Sequence, residues 1–115
     1  MITEAHFFDA LADETRRRIL ALLTGQGELC VCELHSALGL PQPKVSRHLS
    51  VLRDLELLTV RRDGTWIFYR LNPQLPAWCS SVLVLMEPVW NENSLCREDA
   101  ARLLAMENRP LRCCA

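Results

Sequence analysis

A chain of 115 residues, half of them apolar and 23% charged, has the make-up of one globular domain rather than of two domains or a disordered segment. A net charge of −1 excludes a uniformly basic nucleic-acid coat. No apolar run reaches the roughly 18 residues of a membrane span and no export signal opens the chain, so the expected setting is the cytoplasm, with the six cysteines as reduced thiols and not a disulfide framework.

Thr3 is placed to cap a first short helix whose apolar face is Phe7, Phe8, Ala10 and Leu11. Asp13 caps a second, from Glu14 to Thr24, which buries Ile19, Leu20, Leu22 and Leu23 and ends at Gly25 and Gly27. Its Arg16-Arg17-Arg18 run reads better as a solvated face with one internal salt bridge than as a phosphate contact. A third helix is expected from Cys30 to Leu38, closed by Gly39; Leu40-Pro41 breaks it, because the residue before a proline avoids the helical region. The fourth, with Pro43 in its first turn, runs to about Glu56. Two helices joined by a short glycine-containing turn form a helix-turn-helix.

On the fourth helix Val45, Leu49 and Leu52 share one stripe, which is the buried one. Opposite lie Pro43, Ser46, Arg47, Ser50 and Asp54, small, polar or basic groups suited to a major groove. Gln42 is best placed to meet a base edge with its two-pronged amide, and Lys44 to meet a phosphate. His48 is open between packing and a phosphate contact. Between Gln42 and Leu71 six basic residues face three acidic ones, a balance of +3 that leaves −4 for the rest of the chain. One face can attract phosphates while the remainder repels them.

Two β-rich runs, Leu58 to Arg62 and Thr65 to Leu71, flank Asp63-Gly64 and predict a hairpin, a wing that sets Arg61 and Arg62 against DNA phosphates or the minor groove. A fifth helix is expected from Ala77 to Asn91, kinked or cut short by Pro88. Trp78, Val82, Leu83, Val84, Leu85, Met86, Val89 and Trp90 make it apolar nearly all round, and its economical cover is the same helix of a second subunit. A last helix runs from Arg97 to Asn108. The fold class is mainly α with a β-hairpin: a homodimeric winged helix-turn-helix over residues 1–110, with a cysteine-bearing tail at 111–115. No phosphate-binding glycine loop and no serine-histidine-acid set is present, so no enzyme and no organic cofactor is expected.

The thiols carry the remaining signal. Cys30 and Cys32 stand one residue apart just ahead of the reading helix, Cys113 and Cys114 are adjacent, Cys96 lies between these pairs, and Cys79 reads as a small buried apolar residue. On a regular helix residues two apart point about 200° from each other, so Cys30 and Cys32 would share an ion only if the first turn opened. Cys32 and His35, three apart, do share a face.

Ala12-Asp13-Glu14-Thr15-Arg16 and Ser46-Arg47-His48-Leu49, in this element order, resemble the ArsR/SmtB family of metal-sensing winged-helix repressors, and Leu29-Cys30-Val31-Cys32-Glu33-Leu34 is similar to its arsenic-responsive branch. The likeness runs from Phe7 to Trp78. It implies a homodimer that sits on double-stranded operator DNA and lets go when As(III) or Sb(III) binds as inducer. His35 is a departure, standing where that branch commonly carries a third cysteine. Trivalent arsenic prefers three thiolates, so the third ligand beside Cys30 and Cys32 is open, and the adjacent thiols of Cys113 and Cys114, with Cys96, could make a complete trivalent site of their own. A Cys30-Cys32-His35 set would instead suit Zn(II) or Cd(II). The same thiols would also fit a repressor switched by redox chemistry, or a metallochaperone that binds no DNA.

Overall fold

The computed structural model describes residues 2–106; Cys113, Cys114 and the expected boundary between domain and tail lie outside the described residues. Helix α1 (Glu4–Leu11) is capped by Thr3, whose hydroxyl accepts the His6 N–H at 3.2 Å. The carbonyls at its other end are met by arginines from α2 (Glu14–Gln26): Arg16 donates to Ala10 and Asp9 at 2.9 and 3.0 Å, and Arg17 to Leu11 at 2.8 Å. The third residue of the run, Arg18, is buried in the internal salt bridge that the sequence anticipates.

After Gly27, at φ +87°, the chain enters strand β1 (Glu28–Cys30), and only then α3 (Val31–Leu38). The third helix therefore starts one residue later than expected. Cys30 ends a strand in extended geometry, φ −84° and ψ 164°, and caps the helix rather than belonging to it. Gly39 at φ +67° closes α3, and α4 (Gln42–Asp54) follows with Val45, Leu49 and Leu52 buried as the wheel requires. It stops short of Glu56, which adopts a positive φ of 67° while its carbonyl accepts the Asn72 amide at 2.9 Å.

The hairpin is β2 (Leu58–Asp63) and β3 (Trp66–Leu71), turning on Gly64-Thr65 and not on Asp63-Gly64, since Asp63 still pairs with Trp66. Gly64, at φ +64°, opens the loop, where a two-residue turn of this kind needs positive φ. Strand β3 is central: the sheet order is β1-β3-β2, both pairs antiparallel, with Cys30 opposite Phe68. The wing and the thiol strand are thus one sheet.

Helix α5 (Ala77–Glu92) continues through Pro88 where a kink or stop was expected. Pro88 lies on the side of α5 away from the subunit's own core, so its ring and the one missing bond do not disturb the packing of Cys79, Leu83 and Trp90. Helix α6 (Ser94–Ala105) begins three residues before Arg97, because Asn93 caps it by accepting the Cys96 N–H at 3.0 Å. Among the described residues no helix is long and apolar enough to cross a membrane.

The core joins Phe7, Ile19, Leu20 and Leu23 to Leu34, Leu49, Leu52 and Leu103. Within it Asp99, fully buried, receives Arg18 Nε at 2.8 Å and Arg18 Nη2 at 2.7 Å. Hydrogen bonding to that carboxylate, outweighing the cost of burial, holds Arg18 above the usual guanidinium value. Removing Asp99 would strand a charge in the interior, so Asp99→Ala is expected to lower the urea unfolding free energy by about 3–5 kcal/mol. Arg102→Ala, whose side chain is 44% exposed, should cost well under half as much in the same titration.

Candidate nucleic-acid interface and thiol site

The outer face of α4 is built by exclusion: with Val45, Leu49 and Leu52 committed to the core, Gln42, Pro43, Lys44 and Arg47 are exposed and Ser46 and Ser50 half-buried. Gln42 Nε2 donates to Ser46 Oγ at 2.7 Å, which orders the amide at the helix start. His48 turns inward. Its side chain is 16% exposed and its Nδ1 lies 3.8 Å from Asp13 Oδ2, beyond hydrogen-bond reach. Burial pushes His48 below its ordinary value against the pull of Asp13, and Arg16, Arg47 and Lys44 push the same way as burial. Burial by itself would raise the Asp13 carboxyl, but the Arg16 N–H, then His48, Arg16 and the Thr15 N–H, together hold it low.

The two wing arginines, alike in sequence, differ in structure. Arg61 grips Glu28 of β1 with two hydrogen bonds, Nη2 to Oε1 at 2.7 Å and Nε to Oε2 at 3.1 Å, and its guanidinium sits 4.5 Å from the centre of the Phe68 ring. The same bonds hold the Glu28 carboxyl below its usual range. Arg62 is exposed and has no ion pair among the described residues.

Cys30 is fully buried and its backbone N–H donates to Glu33 Oε1 at 3.0 Å, Glu33 being 2% exposed. The Cys30 sulfur accepts in turn from the Glu33 backbone N–H, so the two residues close a capping box in which a thiol stands where serine or threonine is usual. Cys32 is half-buried in the first turn of α3 and His35 half-buried in its last. Cys96, half-buried, opens α6; burial and Asp99 push its thiol up while Arg18 and Arg17 pull the other way. Cys79 is buried on α5, and desolvation raises it. Among the described residues no three of His, Cys, Asp and Glu converge closely enough to hold a metal. Cys30 and Cys32 are neighbours across the strand-helix joint, Cys96 is not gathered with them, and Cys113 and Cys114 lie outside the described residues.

The capping role of Glu33 was readable, three residues after a capping position. The partnership of Glu28 with Arg61 was not, because 33 residues separate them and nothing local marks the pair.

Residues 13–60 match the family profile described as bacterial regulatory protein, arsR family. Over 99% of its length the chain is 45% identical to the whole of the arsenic resistance transcriptional regulator ArsR2 of Pseudomonas putida. The crystal structure of the AntR antimony-specific transcriptional repressor superposes with a TM-score of 0.63 at 33% identity, covering 80% of this chain and 86% of that one. The homodimeric winged helix-turn-helix DNA-binding domain of Mb0332 from Mycobacterium bovis, a possible ArsR-family regulator, matches with a TM-score of 0.63 at 32% identity over 76% of this chain and 78% of its own.

Each phosphate neutralised on duplex DNA steepens the fall of log affinity with log salt by about 0.9. Arg62→Ala is expected to flatten that slope by about 0.9 in fluorescence anisotropy on DNA from the protein's own promoter, and Arg61→Ala, already engaged by Glu28, by much less.

Proposed function

The chain belongs to the arsR family of bacterial regulatory proteins, and on that premise we propose that it represses transcription as a homodimer on operator DNA and lets go when trivalent arsenic or antimony binds its cysteine thiolates. Gln42, Ser46, Arg47 and Ser50 present their polar groups to the major groove, Lys44 and Arg62 meet phosphates, and His48 seats α4 against α2. Arg61 braces the wing. The second subunit covers the apolar face on which Phe8, Trp78, Val84, Leu85 and Val89 are 40–74% exposed, an area too apolar to leave in water.

One observation carries the inducer reading: the sulfur of Cys30 helps to cap α3. Cys30 and Cys32 supply two of the three thiolates that a soft trivalent ion prefers, and Cys96, Cys113 and Cys114 are the sources of the third. A sulfur committed to such an ion no longer accepts the Glu33 N–H. Because Cys30 is a capping residue at the end of β1, the helix loses its cap and no regular turn has to open first, which replaces the geometry expected from sequence. Loss of an oxygen cap costs about 0.5–2 kcal/mol and of a sulfur cap less, which reaches the lower end of the roughly 1–3 kcal/mol of coupling that lowers affinity about 5- to 150-fold.

Serine keeps an acceptor at the cap, so Cys30→Ser with Cys32→Ser should bind operator DNA like the parent chain and no longer release it when arsenite is titrated into a gel-shift assay. Undiminished release from that variant would remove these two residues from the site. A charge in the α5 contact is the second check: Leu85→Glu is expected to run as a monomer in light scattering and to lose most of its operator affinity.

A further inference from the structure

The end of α3 that leads into the turn is held from far along the chain. Arg102 of α6 donates from Nε to the Ala37 carbonyl at 2.6 Å and from Nη2 to Asp99 Oδ1 at 2.7 Å. Arg18 of α2 donates from Nη2 to the Leu38 carbonyl at 2.8 Å while it grips both oxygens of Asp99. These are two of the carbonyls that a helix end leaves without an internal partner, and the α3 terminus carries a partial negative charge that two guanidiniums and one carboxylate complement. The contact extends onto the turn. A Cβ built on Gly39 would have the Arg102 guanidinium as its nearest neighbour, at 3.9 Å. Just past the turn, at Gln42, the reading helix begins.

We infer that Asp99 and Arg102 are positioning residues for DNA recognition: through them α6 clamps the turn between α3 and α4 and so sets the pose of α4 in the groove. Asp99 acts by fixing both arginines, and Arg102 by fixing the turn; neither reaches DNA. This rests on the operator-binding reading and adds to it a role for the C-terminal helix, which carries none of the groove-facing residues.

The test uses the full-length chain and three readouts: operator affinity by anisotropy, its salt slope, and thermal unfolding by circular dichroism, with binding measured well below the unfolding temperature of every variant. Arg102→Ala is expected to weaken operator binding roughly 5- to 20-fold with no change in salt slope, at the lower end of ordinary coupling between sites. Arg102→Lys, which can serve one acceptor but not the pair, should recover part of the loss. Asp99→Asn should weaken binding in the same way, and its effect should not add to that of Arg102→Ala in the double variant. A lower unfolding temperature with unchanged affinity would reduce the cluster to a structural brace and overturn the inference. A slope flattened by about 0.9 would make Arg102 a phosphate contact and overturn it as well. Parent protein that bound no duplex DNA would overturn the repressor reading together with this one.

Discussion

An eight-residue helix does not hold its shape in water by itself, because nucleating a turn costs more than so few backbone bonds return. Helix α3 is of that length, and α4, with its exposed polar face, follows it across the turn. Burial of Leu34, Ala37 and Leu38 keeps it against the core, but its ends decide whether the first and last turns exist. At one end stands the reciprocal pair of Cys30 and Glu33; at the other, Arg18, Asp99 and Arg102. The first rests on a weak sulfur acceptor and the second on charge-assisted bonds, so the first is the more easily undone.

The charge pattern follows from the same economy. Thirteen basic residues against fourteen acidic ones look unpromising for a partner of DNA, but many of the cations are already occupied. Arg16 and Arg17 close α1, Arg18 and Arg102 close α3, and Arg61 ties the wing to β1. Lys44, Arg47, Arg62 and Arg70 remain exposed along α4 and the wing. A few well-placed charges suit the proposed release from an operator, since each added phosphate contact would tighten DNA binding.

Much of the fold is legible in the sequence. The stripe of Val45, Leu49 and Leu52, the cap at Asp13, the hairpin and the cysteine pair follow from period, capping chemistry and turn residues, which are local properties. Strand β1 escapes such a reading because three residues are too few to display a period, and without it Cys30 is assigned to a helix instead of a strand end. That single misplacement changes the expected switch from a lost cap to an uncoiling turn. Pro88 is overweighted in sequence, since the cost of one missing bond on an exposed face is small beside the packing of Cys79, Leu83 and Trp90 on the other side of α5. The clamp at Asp99 is invisible there: its partners lie 81 and 3 residues away, and only the folded chain brings α2, α3 and α6 to one carboxylate.

One sulfur, on this view, serves both the helix start and the inducer. Amide hydrogen exchange of the labelled dimer, followed by NMR as arsenite is added, addresses that claim residue by residue. The Cys30 and Glu33 amides are expected to be protected in the free protein and to lose that protection at one equivalent, while amides in the core of α2 keep theirs. Operator release with the Cys30 and Glu33 amides still protected would contradict it.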